Sequence, residues 1–142
     1  NFIQFSSAYD SLGDYALAHV YYEENNYNNN MDAKVSLASL NQKMASFDGG
    51  FLSSIGQLIS ADYCRFDGMK SLHLVFQGKT DIVTIFVLPA NQALSFDDQF
   101  KDNKFKGSSH SFKETNIIIV TDKNESLQKW QNSINRNIQW NT

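Results

Sequence analysis

Several features that identify common functional classes are scarce or missing in this sequence of 142 residues. Cys64 is the only cysteine, so no disulfide can form within the chain, which fits either a reducing compartment or a bacterial periplasm. No window reaches the roughly 18–20 apolar residues of a membrane span, and no signal peptide is present. Because the chain begins at Asn1 rather than at a methionine, we expect a fragment or a processed form, and these two absences then say nothing about the full gene product.

Positive charge is also scarce. The 15 aspartates and glutamates outnumber the 12 lysines and arginines, and the net charge at pH 7 is −3. Surfaces that bind nucleic acid or anionic lipid are normally basic. We therefore expect no nucleic-acid partner and no tight electrostatic binding to a membrane. The hydrophobic share of 42% is enough for a buried core, and the length is that of one domain, residues 1–142.

Motifs with a known reaction or ligand are absent as well. The sequence contains no P-loop, no GxGxxG dinucleotide fingerprint and no GxSxG nucleophile elbow. Asp97, Asp98 and Asp102 lie close together, but they lack the fixed spacing of an EF-hand calcium loop. The sequence alone therefore predicts no catalytic residue, no cofactor and no metal ligand set, and it favours a protein that is not an enzyme.

The stretch from Tyr63 to Pro89 carries the clearest structural signals. Asp67-Gly68 lies between two apolar segments, which is the favoured two-residue type I′ hairpin turn. We expect strands at about 58–66 and 70–77 on either side of that turn. A third strand at 82–88, IVTIFVL, is apolar on both faces, so we expect it to be central and covered on both sides.

Helical periodicity flanks this β-rich region. A first helix is predicted to begin after Ser6 or Ser7 and to fade by Glu24. Its apolar face consists of Leu12, Tyr15, Ala16, His19 and Val20. A histidine on such a face could be a ligand or a titrating switch, but packing with a satisfied ring nitrogen is the more common role, and we expect it for His19.

Two more helices are predicted. Residues 39–42 form a capping-box pattern for a short second helix, for which an earlier start near Asp32 or Ser36 is also open, and Gly49-Gly50 would end it. Asp122 or Asn124 would cap the last helix. The buried stripe of that helix is predicted to be Leu127, Trp130, Ile134 and Ile138.

The predicted fold class is α+β, with an antiparallel meander sheet of four to five strands. The fourth and fifth strands are expected at 105–112 and 116–121, after a loop over 90–104 that Phe96 and Phe100 would anchor. Short connections favour antiparallel neighbours. The two N-terminal helices and the C-terminal helix are expected to pack mainly on one face of the sheet, leaving the other face partly open.

The hairpin fixes a register. With a two-residue turn, Cys64 pairs with Ser71 and Asp62 pairs with His73, and opposed residues share a face of the sheet. Asp62, Cys64, Ser71 and His73 are therefore predicted to form one candidate site face. Cysteine, histidine and aspartate could act as nucleophile, base and orienter, or cysteine and histidine could bind a metal. A buried cysteine more often acts as a small hydrophobe, so structural roles are the stronger expectation.

The chain also resembles a known family through five segments in a fixed order. These are residues 17–21 (LAHVY), 36–41 (SLASLN), 63–64 (YC), 72–78 (LHLVFQG) and 83–89 (VTIFVLP). Together they are similar to the bacterial domain-of-unknown-function family 3379, over roughly residues 9–130. None of these segments encodes a reaction.

The resemblance implies a location rather than a chemistry. Members of this family look like single-span inner-membrane proteins with a small cytoplasmic segment and a periplasmic domain, often beside extracytoplasmic-function sigma factors. On that basis we expect the periplasmic sensing or protein-interaction domain of a membrane-anchored, anti-sigma-factor-like regulator. Residues 1–6 would lead in from the membrane, and the partner would be a protein or a second copy. A metal- or thiol-dependent sensor using Cys64 and His73 is the alternative, followed by a small enzyme.

Overall fold

A six-stranded antiparallel sheet forms the centre of the computed structural model, which describes residues 12–26, 35–66, 68–90 and 98–141. The described helices are α1 (Leu12–Asn26), α2 (Leu37–Met44) and α3 (Leu127–Asn137). The strands are β1 (Gly49–Phe51), β2 (Leu58–Phe66), β3 (Met69–Gln77), β4 (Ile82–Pro89), β5 (Gln99–Lys101), β6 (Phe105–Phe112), β7 (Thr115–Asp122) and β8 (Ile138–Trp140). None of the described helices combines the length and the apolar character needed to cross a membrane.

The strand order is β2-β3-β4-β7-β6-β5, with all neighbours antiparallel. The expected α+β class with an antiparallel sheet is confirmed, but the count of four to five strands is wrong. The simple meander is wrong too, because consecutive strands are not all neighbours in the sheet. After β4 the chain crosses to the far edge and forms β5 and then β6, and β7 lies between β6 and β4. The long connection after Pro89 makes this jump possible, since short hairpins join only neighbouring strands.

Strand β4 is the covered central strand that its sequence predicts. Its residues from Val83 to Leu88 are all buried, and β3 and β7 pair with its two edges. A run of β-branched and aromatic residues suits this position because both faces of the strand contact apolar layers. Pro89 lies at the last position of the strand, where it interrupts little of the ladder.

The helices cover both faces of the sheet, so the prediction that they pack mainly on one face is wrong. On the first face, α2 and α3 contribute Leu40, Met44, Trp130 and Ile134 to a core that includes Phe76. On the opposite face, α1 contributes Ala16 and Val20 to a second core. We call the two sides the α2/α3 face and the α1 face. Because neighbouring residues of a strand point to opposite sides, each buried strand supplies both cores.

Helix α1 presents the stripe expected from its sequence, where the structure describes it. Ala16, His19 and Val20 are buried, as their spacing of three and four residues requires on one face of a helix. The helix continues to Asn26, two residues beyond the predicted end. The predicted caps Ser6 and Ser7 and the lead-in of residues 1–6 lie outside the described residues.

The other helix boundaries were predicted less well. Ser36 caps α2 by accepting a hydrogen bond from the backbone N–H of Ser39, which selects Ser36 over Ser39 as the start of the helix. Asp32, the third predicted start, lies outside the described residues. Gly49-Gly50 does not end this helix but lies in β1, after a short 3-10 turn over Ala45–Phe47. Ser126 caps α3, while Asp122 instead accepts hydrogen bonds from the turn that precedes the helix. Several polar side chains in one turn compete for the cap, and the sequence does not rank them.

Three short strands, β1, β5 and β8, were not predicted from the sequence. β1 pairs with β8 in a separate two-stranded sheet, where Gly49 lies opposite Trp140 and Phe51 opposite Ile138. Ile138, predicted as the last buried residue of the final helix, is buried but belongs to β8. Phe100, predicted as a loop anchor, lies in β5 and packs against the core of the α1 face. Phe96 lies outside the described residues.

Candidate functional site

The β2–β3 hairpin places the candidate site residues as their sequence predicts. Asp62 pairs with His73, and Cys64 pairs with Ser71. Gly68 has a φ of 77°, a left-handed conformation that glycine adopts without strain and that a type I′ turn requires. The other turn residue, Asp67, lies outside the described residues. The predicted register is therefore confirmed, and all four side chains belong to the α1 face.

The four residues differ in solvent exposure. Cys64, Ser71 and His73 are buried, whereas Asp62 is exposed at the edge strand. Ser71 donates a hydrogen bond from its hydroxyl to the Met69 carbonyl, 3.1 Å away. The face is thus a covered interface beneath a helix rather than an open cleft, and a substrate would have to displace packed side chains to reach Cys64.

The structure adds His19 of α1 to this face. The imidazole rings of His19 and His73 have centroids 4.7 Å apart with planes inclined by 53°. Phe86 of β4, which pairs with His73 across the sheet, stacks on the His73 ring at 5.1 Å and 12°. The same phenyl ring meets His19 edge-on at 4.8 Å. Two imidazoles and one phenyl ring therefore form a compact aromatic group between α1 and the sheet, which we call the histidine cluster.

The pKa of His73 is held well below its ordinary value near 6.5. Burial is the larger cause, because a charged imidazolium loses its hydration in the apolar interface, and the positive charge of His19 is the second. Asp62 lies opposite in the register, yet its charge is not among the causes that set the pKa of His73. A carboxylate that oriented the imidazole would favour its charged form and raise its pKa. The lowered pKa therefore does not fit an Asp–His pair of the catalytic type.

Two buried polar atoms on this face lack hydrogen bonds within the described part of the chain. They are Nε2 of His73 and the hydroxyl oxygen of Ser109. Ser109 lies on β6 opposite Ile118, which itself lies opposite Phe86, so it belongs to the same row across the sheet as His73. A buried polar atom without a partner costs about 1–3 kcal/mol. On the α2/α3 face, none of the buried side-chain polar atoms that the structure describes lacks a hydrogen bond, so this cost falls on the α1 face.

The same residues offer few ligands for a metal ion. Among the described residues, no group of three or more histidine, cysteine, aspartate or glutamate side chains is placed to hold a metal ion. His19 and His73 would supply at most two nitrogen ligands, and structural zinc sites need four ligands. A site here would need Cys64 and a further ligand to move into place.

One polar contact ties α1 to the far edge of the sheet. The Tyr21 hydroxyl donates a hydrogen bond to Oδ2 of Asp102 at 2.6 Å, and its ring meets Phe105 edge-on at 5.0 Å. Partial burial raises the pKa of Asp102, but the hydrogen bonds from Tyr21 and from the backbone N–H groups of Phe105 and Lys104 outweigh it, and the pKa is lowered. This contact fixes the end of α1 that lies beyond the histidine cluster.

The sequence predicted His73 as a site residue, but it did not predict that His19 and Ser109 lie on the same face of the sheet. His19 was expected to be a packed histidine, and it is fully buried. Its position on the apolar stripe of α1 was the available signal for burial, but periodicity does not tell which face of the sheet the helix covers. Ser109 lies in a strand rich in serine and glycine, SHSF after FKGS, where nothing distinguishes a buried hydroxyl from an exposed one.

Comparison with known proteins supports the resemblance seen in the sequence. The model of one family, described as a protein of unknown function (DUF3379), matches residues 1–138. Among proteins with curated descriptions, none is significantly similar to this chain. The match includes α1, the whole central sheet and α3. The chain therefore belongs to the DUF3379 family.

Proposed function

We propose that this chain is a non-enzymatic sensing or protein-interaction domain in which docking of α1 on the sheet is the switched element. The observation that carries the proposal is the histidine cluster between α1 and the sheet. An interface of this kind is costly to keep closed, because it confines two titratable rings and leaves polar atoms without hydrogen bonds. Undocking α1 would return these groups to water and offset part of the apolar contact that is lost.

A two-state α1 explains how such a domain could signal without chemistry. A partner that binds only when the α1 face is uncovered would shift the equilibrium toward the undocked state by its differential affinity. Helix α1 contacts the sheet through four side chains and one exposed hydrogen bond. The side chains are Ala16, Leu17, His19 and Val20, and the hydrogen bond runs from Tyr21 to Asp102. These contacts are modest compared with the covered ladders of β3, β4 and β7. We expect local opening to involve α1 before the central strands.

The membrane setting is part of this proposal. In a periplasmic domain of an inner-membrane, anti-sigma-factor-like regulator, α1 would be the first helix after the membrane, so its docking state could be passed along the chain. The partner would be a sensory or regulatory protein, or a second copy of the chain.

Hydrogen exchange tests the proposal directly. In the wild-type chain, we expect α1 amides to exchange through a local opening with a free energy below that of β4 and β7. His73→Phe removes the unpartnered nitrogen and keeps a planar ring, so it should raise the protection of α1. His110→Phe is the matched control, because His110 lies on the other face and should leave α1 unchanged. Equal opening free energies for α1 and β4 in the wild type would refute local undocking.

A reporter assay in the native host tests whether α1 docking carries the signal. In the full-length protein, a sigma-factor-dependent reporter in the native host should respond less to envelope stress when His73→Phe holds α1 closed. The His110→Phe protein should respond as the wild type does. An unchanged response with His73→Phe, despite greater protection of α1, would show that α1 docking is not the signal.

A metal- or thiol-dependent sensor is a second candidate. It is favoured by one observation, namely that His19 brings a second imidazole to the face that already carries Cys64 and His73. Purified protein should then contain zinc or copper in a fixed ratio, and Cys64→Ala should abolish it. Metal content and thiol reactivity that are the same in Cys64→Ala and in the wild type would dispose of this candidate.

A further inference from the structure

A cavity of about 330 Å³ lies on the α2/α3 face, on the side of the sheet away from the histidine cluster. Its walls come from α2, from the loop between β1 and β2, and from β3. The apolar side chains that line it include Leu37, Leu40, Phe51, Ile55, Leu58 and Phe76. It therefore reaches the hydrophobic core at Phe76 and opens to solvent at Leu37, which is 37% exposed.

The walls of this cavity are fixed by hydrogen bonds. The Asn41 side chain of α2 donates to the Phe51 carbonyl at 3.0 Å and accepts from the Phe51 N–H at 2.8 Å. At the other end of the loop, the backbone N–H of Gln77 donates to the Gln57 carbonyl at 2.9 Å. Directly after Phe51, the Leu52 N–H donates to the Asn137 carbonyl at 2.7 Å. Because the loop is held at both of its ends, the cavity is formed before any ligand arrives.

The chemistry of the lining selects the ligand. Among the described residues that form the wall, none carries a formal charge, and the polar ones are Ser54 and Gln57 at the exposed loop. The Ser54 hydroxyl is engaged with Gly56, donating to its carbonyl at 2.7 Å. A charged ligand would lose its hydration here without gaining a counter-ion, which is unfavourable. An uncharged apolar ligand loses only unfavourable contact with water.

The volume sets the ligand's size. A cavity of ~150 Å³ lined by apolar side chains binds benzene, and ligand pockets in proteins begin at roughly 300 Å³. The cavity at Phe76 is about twice the benzene-binding volume, so it suits a molecule with about twice as many carbon atoms. We infer that this cavity is a binding site for a small uncharged apolar molecule, such as a medium-chain alcohol or a bicyclic hydrocarbon. This inference goes beyond the proposed function and does not depend on α1.

Titration with 1-octanol, followed by two-dimensional ¹⁵N–¹H NMR, tests the inference. We expect saturable shifts confined to the amides of residues 35–40, 51–58 and 76–77, which surround the cavity, and no comparable shifts on α1. Sodium octanoate, which has the same chain length and a negative charge, should bind at least tenfold more weakly. Absence of saturable shifts up to the solubility limit of octanol, or equal binding of octanoate, would overturn the inference.

Two variants locate the site. Ile55→Trp should fill the cavity and weaken octanol binding at least tenfold, whereas Leu52→Trp on the same loop should not, because Leu52 is 64% exposed and does not line the cavity. If Ile55→Trp does not fold, Leu37→Arg places a charge at the mouth and should weaken octanol binding instead. Wild-type affinity in a folded Ile55→Trp or Leu37→Arg protein would refute the assignment, and would leave the apolar side chain of a partner protein as the occupant to examine.

Discussion

The imidazole of His73 is enclosed between the ring of His19, 4.7 Å away, and the ring of Phe86, 5.1 Å away. One strand and one helix thus place two basic groups in the same apolar interface. Cross-strand pairing fixes the phenyl ring beneath His73, and the helical stripe fixes His19 above it. The arrangement makes docking of α1 sensitive to protonation in a way that apolar packing alone is not.

The first prediction concerns pH. Because the pKa of His73 is lowered in the folded protein, the unfolded chain binds more protons below its own pKa near 6.5, and the folded state loses stability as the pH falls. Above that pKa, the stability no longer depends on this group. Between pH 6.5 and the lowered folded pKa, the free energy of unfolding should fall by up to about 1.4 kcal/mol per pH unit. Urea unfolding at pH 7.5, 6.5 and 5.5 measures the slope.

Removal of the titrating group provides the control for that prediction. His73→Gln should flatten the dependence below pH 6.5. In His110→Gln most of the acid sensitivity should remain, because burial lowers the pKa of the half-buried His110 while the nearby Asp98 charge opposes the change. A His73→Gln protein with the wild-type slope would show that His73 is not the acid-sensitive group.

The second prediction concerns the contact between α1 and the sheet edge. Tyr21→Phe removes the hydroxyl that donates to Asp102 but keeps the ring on Phe105. We expect the pKa of Asp102 to rise toward its ordinary value and α1 amides to exchange faster, while global stability falls by about 0.5 kcal/mol, the low end for an exposed hydrogen bond. An NMR titration of the Asp102 carboxyl measures the pKa.

Lys123 supplies the comparison for this experiment. Its charge also lowers the pKa of Asp102, as the last of the contributions. Lys123→Ala should therefore raise that pKa less than Tyr21→Phe does and leave α1 exchange unchanged. Equal effects of the two variants would contradict a specific role for the Tyr21 hydroxyl.

Local sequence patterns predicted the strands that form hairpins, and the reason is physical. β2 and β3 begin and end within one residue of their predicted limits, because Asp67-Gly68 and the alternation around it are short-range signals. The short pair β1 and β8 has no such signal. Gly49 has no side chain to reveal a strand, and its partner Trp140 lies at the other end of the sequence. Only the folded core brings these two segments together.

The strand register at the candidate site was predictable from the sequence, but the helix that covers the site was not. Register placed Cys64 and His73 on one face, but no local rule assigned α1 rather than α3 to that face. The contact between His19 and His73 depends on this choice. The cavity at Phe76 was equally hidden, because it requires α2, the loop before β2 and the strand β3 to meet. Long-range packing decides both features.

The third prediction concerns the turn between β3 and β4. A Cβ atom at Gly78 would collide with the Asp81 carbonyl oxygen and lie 2.6 Å from Oε1 of Glu125. Because the first obstacle is backbone, the turn must shift, and Gly78→Ala should lower the free energy of unfolding by more than about 1 kcal/mol. Gly50→Ala is the matched control, since a Cβ there meets only ordinary contacts with Asn41. A loss in Gly50→Ala as large as that in Gly78→Ala would contradict the steric argument.

The last prediction concerns the buried carboxylate of Glu125. Its Oε1 accepts the backbone N–H of Lys79 at 2.8 Å, and its Oε2 accepts the indole N–H of Trp130 at 2.9 Å. Glu125→Ala leaves both donors without their acceptor, so we expect a loss of about 2–4 kcal/mol from two unmade hydrogen bonds. Glu125→Gln keeps one amide oxygen and should lose less, whereas Glu114→Ala, at an exposed turn, should change stability by less than about 0.5 kcal/mol. Urea unfolding followed by tryptophan fluorescence measures all three.

Because Trp130 packs on Phe76 at the wall of the cavity, Glu125→Ala should also weaken octanol binding by displacing the indole. Unchanged octanol binding would show that Trp130 holds its position without the carboxylate.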